Sequence, residues 1–168
     1  HAKDYDEWEQ LGAEGWNWKN VLPYFRKSEG NVRGASALHG GDGPLTVSDP
    51  RHLNPLTPVF VEAARQAGFD GNDDFNGVQQ AGFGLYQTTT RAGRRCSSAV
   101  AYLNPARRRK NLTVITKATA SRVLFDNGKA SALVYAIDGK GGFCEAAGRE
   151  IILCGGSINS PQLLMLSG

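Results

Sequence analysis

Three observations predict a mixed α/β chain, α+β in part. In the first third, Trp18, Val21, Leu22 and Phe25 recur at helical spacing. Beyond residue 110 the texture changes to short runs rich in β-formers, reversed at Asn127-Gly128, the dipeptide that favours a tight type I′ hairpin. Finally, the apolar run Ile151–Cys154 passes into Gly155-Gly156 and a short apolar segment. A buried strand turning sharply into a helix is the half-unit of a doubly wound fold.

Taken in order, DYDEWEQL reads as a helix capped by Asp4 and ended by Gly12, and WKNVLPYFRKS as a second helix capped by Asn17. Pro23 falls early enough in that helix to be tolerated. Trp8, Trp16 and Trp18 read as packing residues. Residues 29–44 are a glycine-rich loop around His39, and Leu45–Ser48 alternates as a short strand. Thr57-Pro58 fits a helix cap and first residue, with Val59, Phe60, Ala63, Ala64 and Ala67 as the buried stripe and Gly68 as the stop. GFDGNDDFNG lacks the spacing of a calcium loop and reads as solvated. GLYQTTT (84–90) fits a strand, RAGRRC a turn, and AVAYL a helix capped by Ser97 or Ser98 and stopped at Asn104-Pro105. NLTVITK onward reads as strands, with Asp138-Gly139 and Gly141-Gly142 marking the next reversal.

The chain has 168 residues, 40% hydrophobic and 21% charged, with a net charge of +3. That mixture is ordinary for a globular domain, and the charge alone does not call for nucleic acid. No apolar run is long enough to span a bilayer. The three cysteines, Cys96, Cys144 and Cys154, form no CxxC pair, which fits a reducing, cytoplasmic setting. The opening at His1 and the stop at Gly168 read as a piece from the middle of a longer protein. On that reading Ile151–Cys154 has lost its neighbours in a sheet, and its exposed edge would drive self-association.

For chemistry, the paired glycines stand out. Bare backbone lets a ligand approach closely, and the N–H groups opening a helix favour an anion. Ser157 and Ser160 can cap this turn, with Pro161 as first helical residue. No GxGxxG or GxxxxGK[ST] phosphate loop occurs, no GxSxG surrounds a serine, and no Cys/His spacing suggests zinc. The residues alone therefore give a possible ligand turn, no metal site and no catalytic centre.

GGSINSPQLLMLSG resembles the second signature of the glucose-methanol-choline (GMC) oxidoreductases: Gly156-Ser157, Ser160-Pro161, Leu163-Leu164 and Ser167-Gly168 match it. GWNWKNVLPYFRKSE, HGGDGPLTVSD, GRRCSSAVAYLNP and NLTVITKATASRVLF resemble the same family in the same order, and the wording is similar to its choline dehydrogenase and primary alcohol dehydrogenase branch. The resemblance implies an FAD flavoprotein with a Rossmann-like domain and a sheet-based substrate domain. Such enzymes pass hydride from an alcohol to flavin N5 while a base, usually histidine, takes the proton. It divides the chain into 1–43 bordering the FAD domain, 44–105 in the substrate domain and 106–168 in the FAD domain. It implies FAD contacts at Ala120, where the family often has valine, and at Gly155, Gly156, Ser157 and Ser160. None of His1, His39 and His52 matches the catalytic position, so no catalytic residue is carried over, and the chain alone is expected to be inactive and to hold FAD weakly. The implied partner is a small alcohol, with peripheral contact of the parent with a bacterial inner membrane left open and no nucleic acid. Two other readings stay open: a small non-enzymatic binding module, and a nucleic-acid binder using Arg107–Lys110.

Overall fold

The computed structural model describes residues 1–168, which divide into two compact units, His1–Arg109 and Lys110–Gly168.

In the first unit, α1 (Ala2–Gln10) is capped by His1, whose Nδ1 accepts the Lys3 N–H, so Asp4 lies inside the first turn rather than at the cap. α2 (Trp18–Ser28) starts as the sequence predicts: Asn17 Oδ1 accepts the Asn20 N–H at 2.9 Å. Pro23 sits in its second turn without ending it. Asp6 accepts the Trp18 N–H and Glu9 accepts Asn17 Nδ2 at 2.7 Å, which fixes the start of α2 against α1. Across this pair Tyr5 packs edge-on against Trp8 and Phe25. The tryptophans do pack, but at a surface, because Trp8 and Trp16 remain half exposed.

β1 (Glu29–Asn31) pairs in parallel with β2 (Leu45–Val47), Glu29 opposite Leu45. The glycine loop between them closes tightly: a Cβ at Gly40 would lie 1.8 Å from the Arg26 carbonyl oxygen, so only glycine lets this loop lie on the end of α2. α3 (Leu56–Gln66) begins earlier than predicted: Pro55 stands at the cap, Asn54 Oδ1 accepts the Leu56 N–H, and Thr57 lies inside the first turn without capping it. Of its apolar stripe only Ala64 is buried; Val59 and Phe60 stay exposed. Gly68 ends the helix at positive φ.

The strand expected over 84–90 is not continuous. Within it Thr88 makes a single bridge with Ser48, and just before it Phe83 bridges Gly71. Only Thr90–Arg91 (β3) enters a hairpin, with Arg94–Arg95 (β4), through Ala92 and Gly93, both at positive φ. The AVAYL segment forms a π-helical turn, Ala99–Leu103, with the Val100 N–H on Ser97 Oγ. A short α4 (Asn104–Ala106) follows, so Pro105 opens a turn instead of stopping one.

In the second unit, β5 (Ala118–Asp126) and β6 (Lys129–Ile137) form the predicted hairpin, with Asn127 and Gly128 both at positive φ as a type I′ turn requires. β7 (Cys144–Ala147) completes a sheet in the order β5-β6-β7. Val123, Ala132 and Val134 are its buried centre. Residues 111–117 stay outside the ladder. Ile151–Cys154 also joins no strand: Ile151 and Leu153 are half-buried while Ile152 is 80% exposed. A doubly covered strand needs partners at its edges and packed layers over both faces, and this segment pairs with no strand of the unit. α5 (Gly156–Met165) then begins at Gly156, so Pro161 lies inside it rather than opening it.

Candidate functional site

The glycine turn is open. Gly155, Gly156 and Ser157 are all exposed. Gly156 has φ +86° and nothing within 4 Å of where a Cβ would stand. Gly155 has an ordinary φ of −77° but is tightly packed: a Cβ there would sit 3.1 Å from Asn159 Cβ and 3.2 Å from Ser160 Oγ, and the Gly155 N–H donates to that same oxygen at 2.9 Å. Ser160 therefore folds back onto the turn and secures it. An α-helix leaves its first N–H groups without intrahelical partners, and no side chain caps α5. Bare backbone, positive φ and N–H groups without intrahelical partners together suit an anionic group or a hydroxyl.

Ala120 lies on β5 opposite Tyr135, exposed, and directly before a bulge that shifts the register between Ala120 and Arg122. Bulges re-aim backbone groups. A contact through the Ala120 backbone tolerates the small side chain. Ala120 and the turn belong to the same unit.

The first unit holds a polar cluster that the sequence did not announce. His39 Nδ1 meets Glu29 Oε1 and Oε2 at 2.9 and 3.0 Å, and Nε2 meets Asp74 Oδ2 at 2.9 Å. Both ring nitrogens face carboxylates, so the imidazolium, with two N–H donors, is the form that satisfies them. Partial burial pulls the imidazole down, but the hydrogen bonds to Glu29 and Asp74, and then their charges, raise it above its ordinary 6.5. Buried Asn31 donates to Glu29 and to Gln87 Oε1, both at 2.9 Å, and Gln87 donates onward to Asp49. Arg33 pairs with Asp49 at 2.7 Å; that hydrogen bond raises the guanidinium and lowers the carboxyl. Beside the cluster lies an open cavity of about 500 Å³, lined by Tyr5, Trp18, Leu22, Phe25, Glu29 and His39 among others. GFDGNDDFNG is thus more than a solvated loop, since Asp74 closes the cluster. Gln87 is turned inward to Asn31, whereas Tyr86 stacks on Phe75 at 4.2 Å. The partners of His39 are 10 and 35 residues away, too far for any spacing rule; the glycines around it were the available sign of close packing.

Arg107–Lys110 is exposed. No helix is long and apolar enough to cross a membrane.

The sequence profile of the GMC oxidoreductases matches residues 1–168. The chain is 48% identical over 168 residues to the mitochondrial choline dehydrogenase of Mus musculus, covering all of this chain and 28% of that protein. It is also 48% identical to an oxygen-dependent choline dehydrogenase of Paraburkholderia phymatum, over 171 residues and 30% of its length. Among solved structures, pyridoxine 4-oxidase from Mesorbium loti superposes with a TM-score of 0.89 at 32% identity, over all of this chain and 33% of that one. A fungal aryl-alcohol oxidase shares the fold, with a TM-score of 0.84 at 19% identity over 98% of this chain and 31% of that one. The chain spans less than a third of the length of these relatives.

Proposed function

The chain belongs to the GMC oxidoreductase family, and from that premise we propose that it is the central part of an FAD-dependent dehydrogenase that oxidises choline or another primary alcohol to the aldehyde. The observation that carries this reading is 48% identity to choline dehydrogenases along all 168 residues. Residues 1–43 border the FAD domain, 44–105 contribute to the substrate domain and 106–168 to the FAD domain. FAD, when bound, supplies the hydride acceptor. Gly155, Gly156 and Ser157 offer backbone to its phosphate or sugar portion, Ser160 holds that turn in shape, and the Ala120 backbone meets its adenine end. The reaction belongs in the cytoplasm or at the inner face of a bacterial membrane.

No residue of this chain is assigned the proton transfer, and no GxGxxG is present to seat the pyrophosphate. The isolated chain should therefore quench flavin fluorescence weakly and show no choline-dependent dye reduction. The decisive experiment grafts these residues into a choline dehydrogenase in place of the matching segment. The chimera is expected to purify yellow and to oxidise choline, and Gly156→Val is expected to release the flavin. A folded chimera without flavin would refute the proposal; flavin retention with activity on a different alcohol would correct only the substrate.

A further inference from the structure

The half-buried face of the last helical segment consists of Ser160, Leu163 and Ser167, at the i, i+3, i+7 spacing of a single stripe. A serine stands at each end of it. Ser160 Oγ accepts the Gly155 N–H. Ser167 Oγ accepts the Val123 N–H at 2.8 Å and donates to the Leu163 carbonyl at 2.5 Å. β5 is an edge strand, and Val123 is 3% exposed. Its amide points away from the β6 ladder and would be buried without a partner if the hydroxyl were absent. A hydroxyl can accept and donate at once, and Ser167 uses both capacities. It stitches the end of α5 to the centre of β5, three residues from Ala120.

We propose that Ser167 is a positioning residue that sets the Gly155–Ser157 turn in register with the Ala120 strand, acting through α5 as a strut. Leu163 supplies the apolar part of that seat, but an apolar contact is non-directional and lets a helix slide. The hydroxyl is directional and selects one position. Most of the remaining helix surface is exposed, including Ile158, Met165 and Leu166, so nothing else in this unit restrains it as specifically. The functional weight of the register rests on the cofactor reading above; the register itself does not.

The test uses the full chain with Cys144→Ser, spin-labelled at the exposed Cys154 and at Ala120→Cys. Ser167→Ala should broaden the distance distribution between the labels and speed exchange of the Val123 amide about tenfold, the usual effect of losing one buried hydrogen bond. Ser167→Thr, which keeps the hydroxyl, should restore both. Faster Val123 exchange with an unchanged distance distribution would make Ser167 a local cap and overturn the proposal, as would no change in either. The β5–β6 hairpin amides serve as a folding control. Should Ser167→Ala lose their protection, Ser167→Cys, with a weak donor and acceptor of similar size, replaces it and should give an intermediate broadening. In the chimeric enzyme, Ser167→Ala should weaken FAD binding about tenfold. A broadened distance with unchanged FAD affinity would leave the strut in place and remove the turn from the cofactor site.

Discussion

Deprotonation of His39 should loosen the first unit. The folded state holds this imidazole as a cation between Glu29 and Asp74. A neutral ring keeps one N–H, so one carboxylate would then face a lone pair across a contact of about 2.9 Å. Asp74 should yield first, because its side chain is 42% exposed against 17% for Glu29, and it belongs to a loop. Hydrogen bonds to charged groups contribute about 1.5–3 kcal/mol. With one of the two partners substantially solvated, the pair should contribute about 1–2 kcal/mol in total.

The sign follows from the raised pKa. The folded state binds this proton more tightly than the unfolded chain, so the contribution is complete below the ordinary imidazole value of 6.5 and is lost as pH climbs through the raised folded value. Trp8, Trp16 and Trp18 all lie in the first unit, so urea unfolding followed by tryptophan fluorescence reads its stability directly. Between pH 6 and pH 9 the wild-type chain should lose about 1–2 kcal/mol more than His39→Gln, which cannot titrate. Subtracting the variant removes the contributions of His1 and His52. Parallel pH profiles for the two proteins would refute the proton clamp.

Gly156 at φ +86° makes Gly156→Ala unfavourable by about 1–2 kcal/mol in the second unit, measured by circular dichroism on urea unfolding; an unchanged midpoint would place the turn outside the left-handed region. Ala92 carries φ +50° in the β3–β4 hairpin, a conformation asparagine adopts more readily, so Ala92→Asn should stabilise the first unit by about 0.5–1 kcal/mol, seen as a raised urea midpoint. Thiol titration of the native chain should modify Cys154 fastest, Cys144 more slowly, and Cys96, 1% exposed, only on unfolding. Reaction of Cys96 at the rate of Cys154 would contradict its burial.

Local chemistry was the most legible part of this sequence. The Asn17 cap, the Gly68 stop and the Asn127-Gly128 hairpin follow from single residues whose preferences nothing nearby opposes. Longer-range pairing was not legible. GLYQTTT has strand composition, yet only Thr88, in a single bridge, and Thr90, at the start of β3, find partners, because a strand needs a partner as well as a propensity. Ile151–Cys154 is apolar enough for a doubly covered strand and stays outside the ladder for the same reason. At the candidate site, the openness of the glycine pair was readable from composition. The back-bond from Gly155 to Ser160 was not, since it depends on α5 starting at Gly156 rather than at Pro161. The His39 cluster joins residues scattered from Glu29 to Gln87, and only folding assembles it.

The amount of uncovered surface has its own consequence. Two separate compact units of these sizes would expose about 9,700 Å² together by the usual scaling of area with mass. The chain exposes 13,038 Å². The difference is about 3,300 Å² of polar and apolar surface together. Large apolar side chains lie exposed on this surface, among them Val59 and Phe60 on α3 and Ile158, Met165 and Leu166 around α5. In solution the isolated chain should lower this cost by associating, and it should bind a hydrophobic dye in its folded state. The grafted chimera, in which the rest of a relative surrounds these residues, should bind far less dye per segment. Light scattering and dye fluorescence at matched concentration decide the matter. A monodisperse, dye-silent isolated chain would mean that these apolar side chains find cover within the 168 residues themselves, and the assignment of this surface to the body of a larger flavoenzyme would fail.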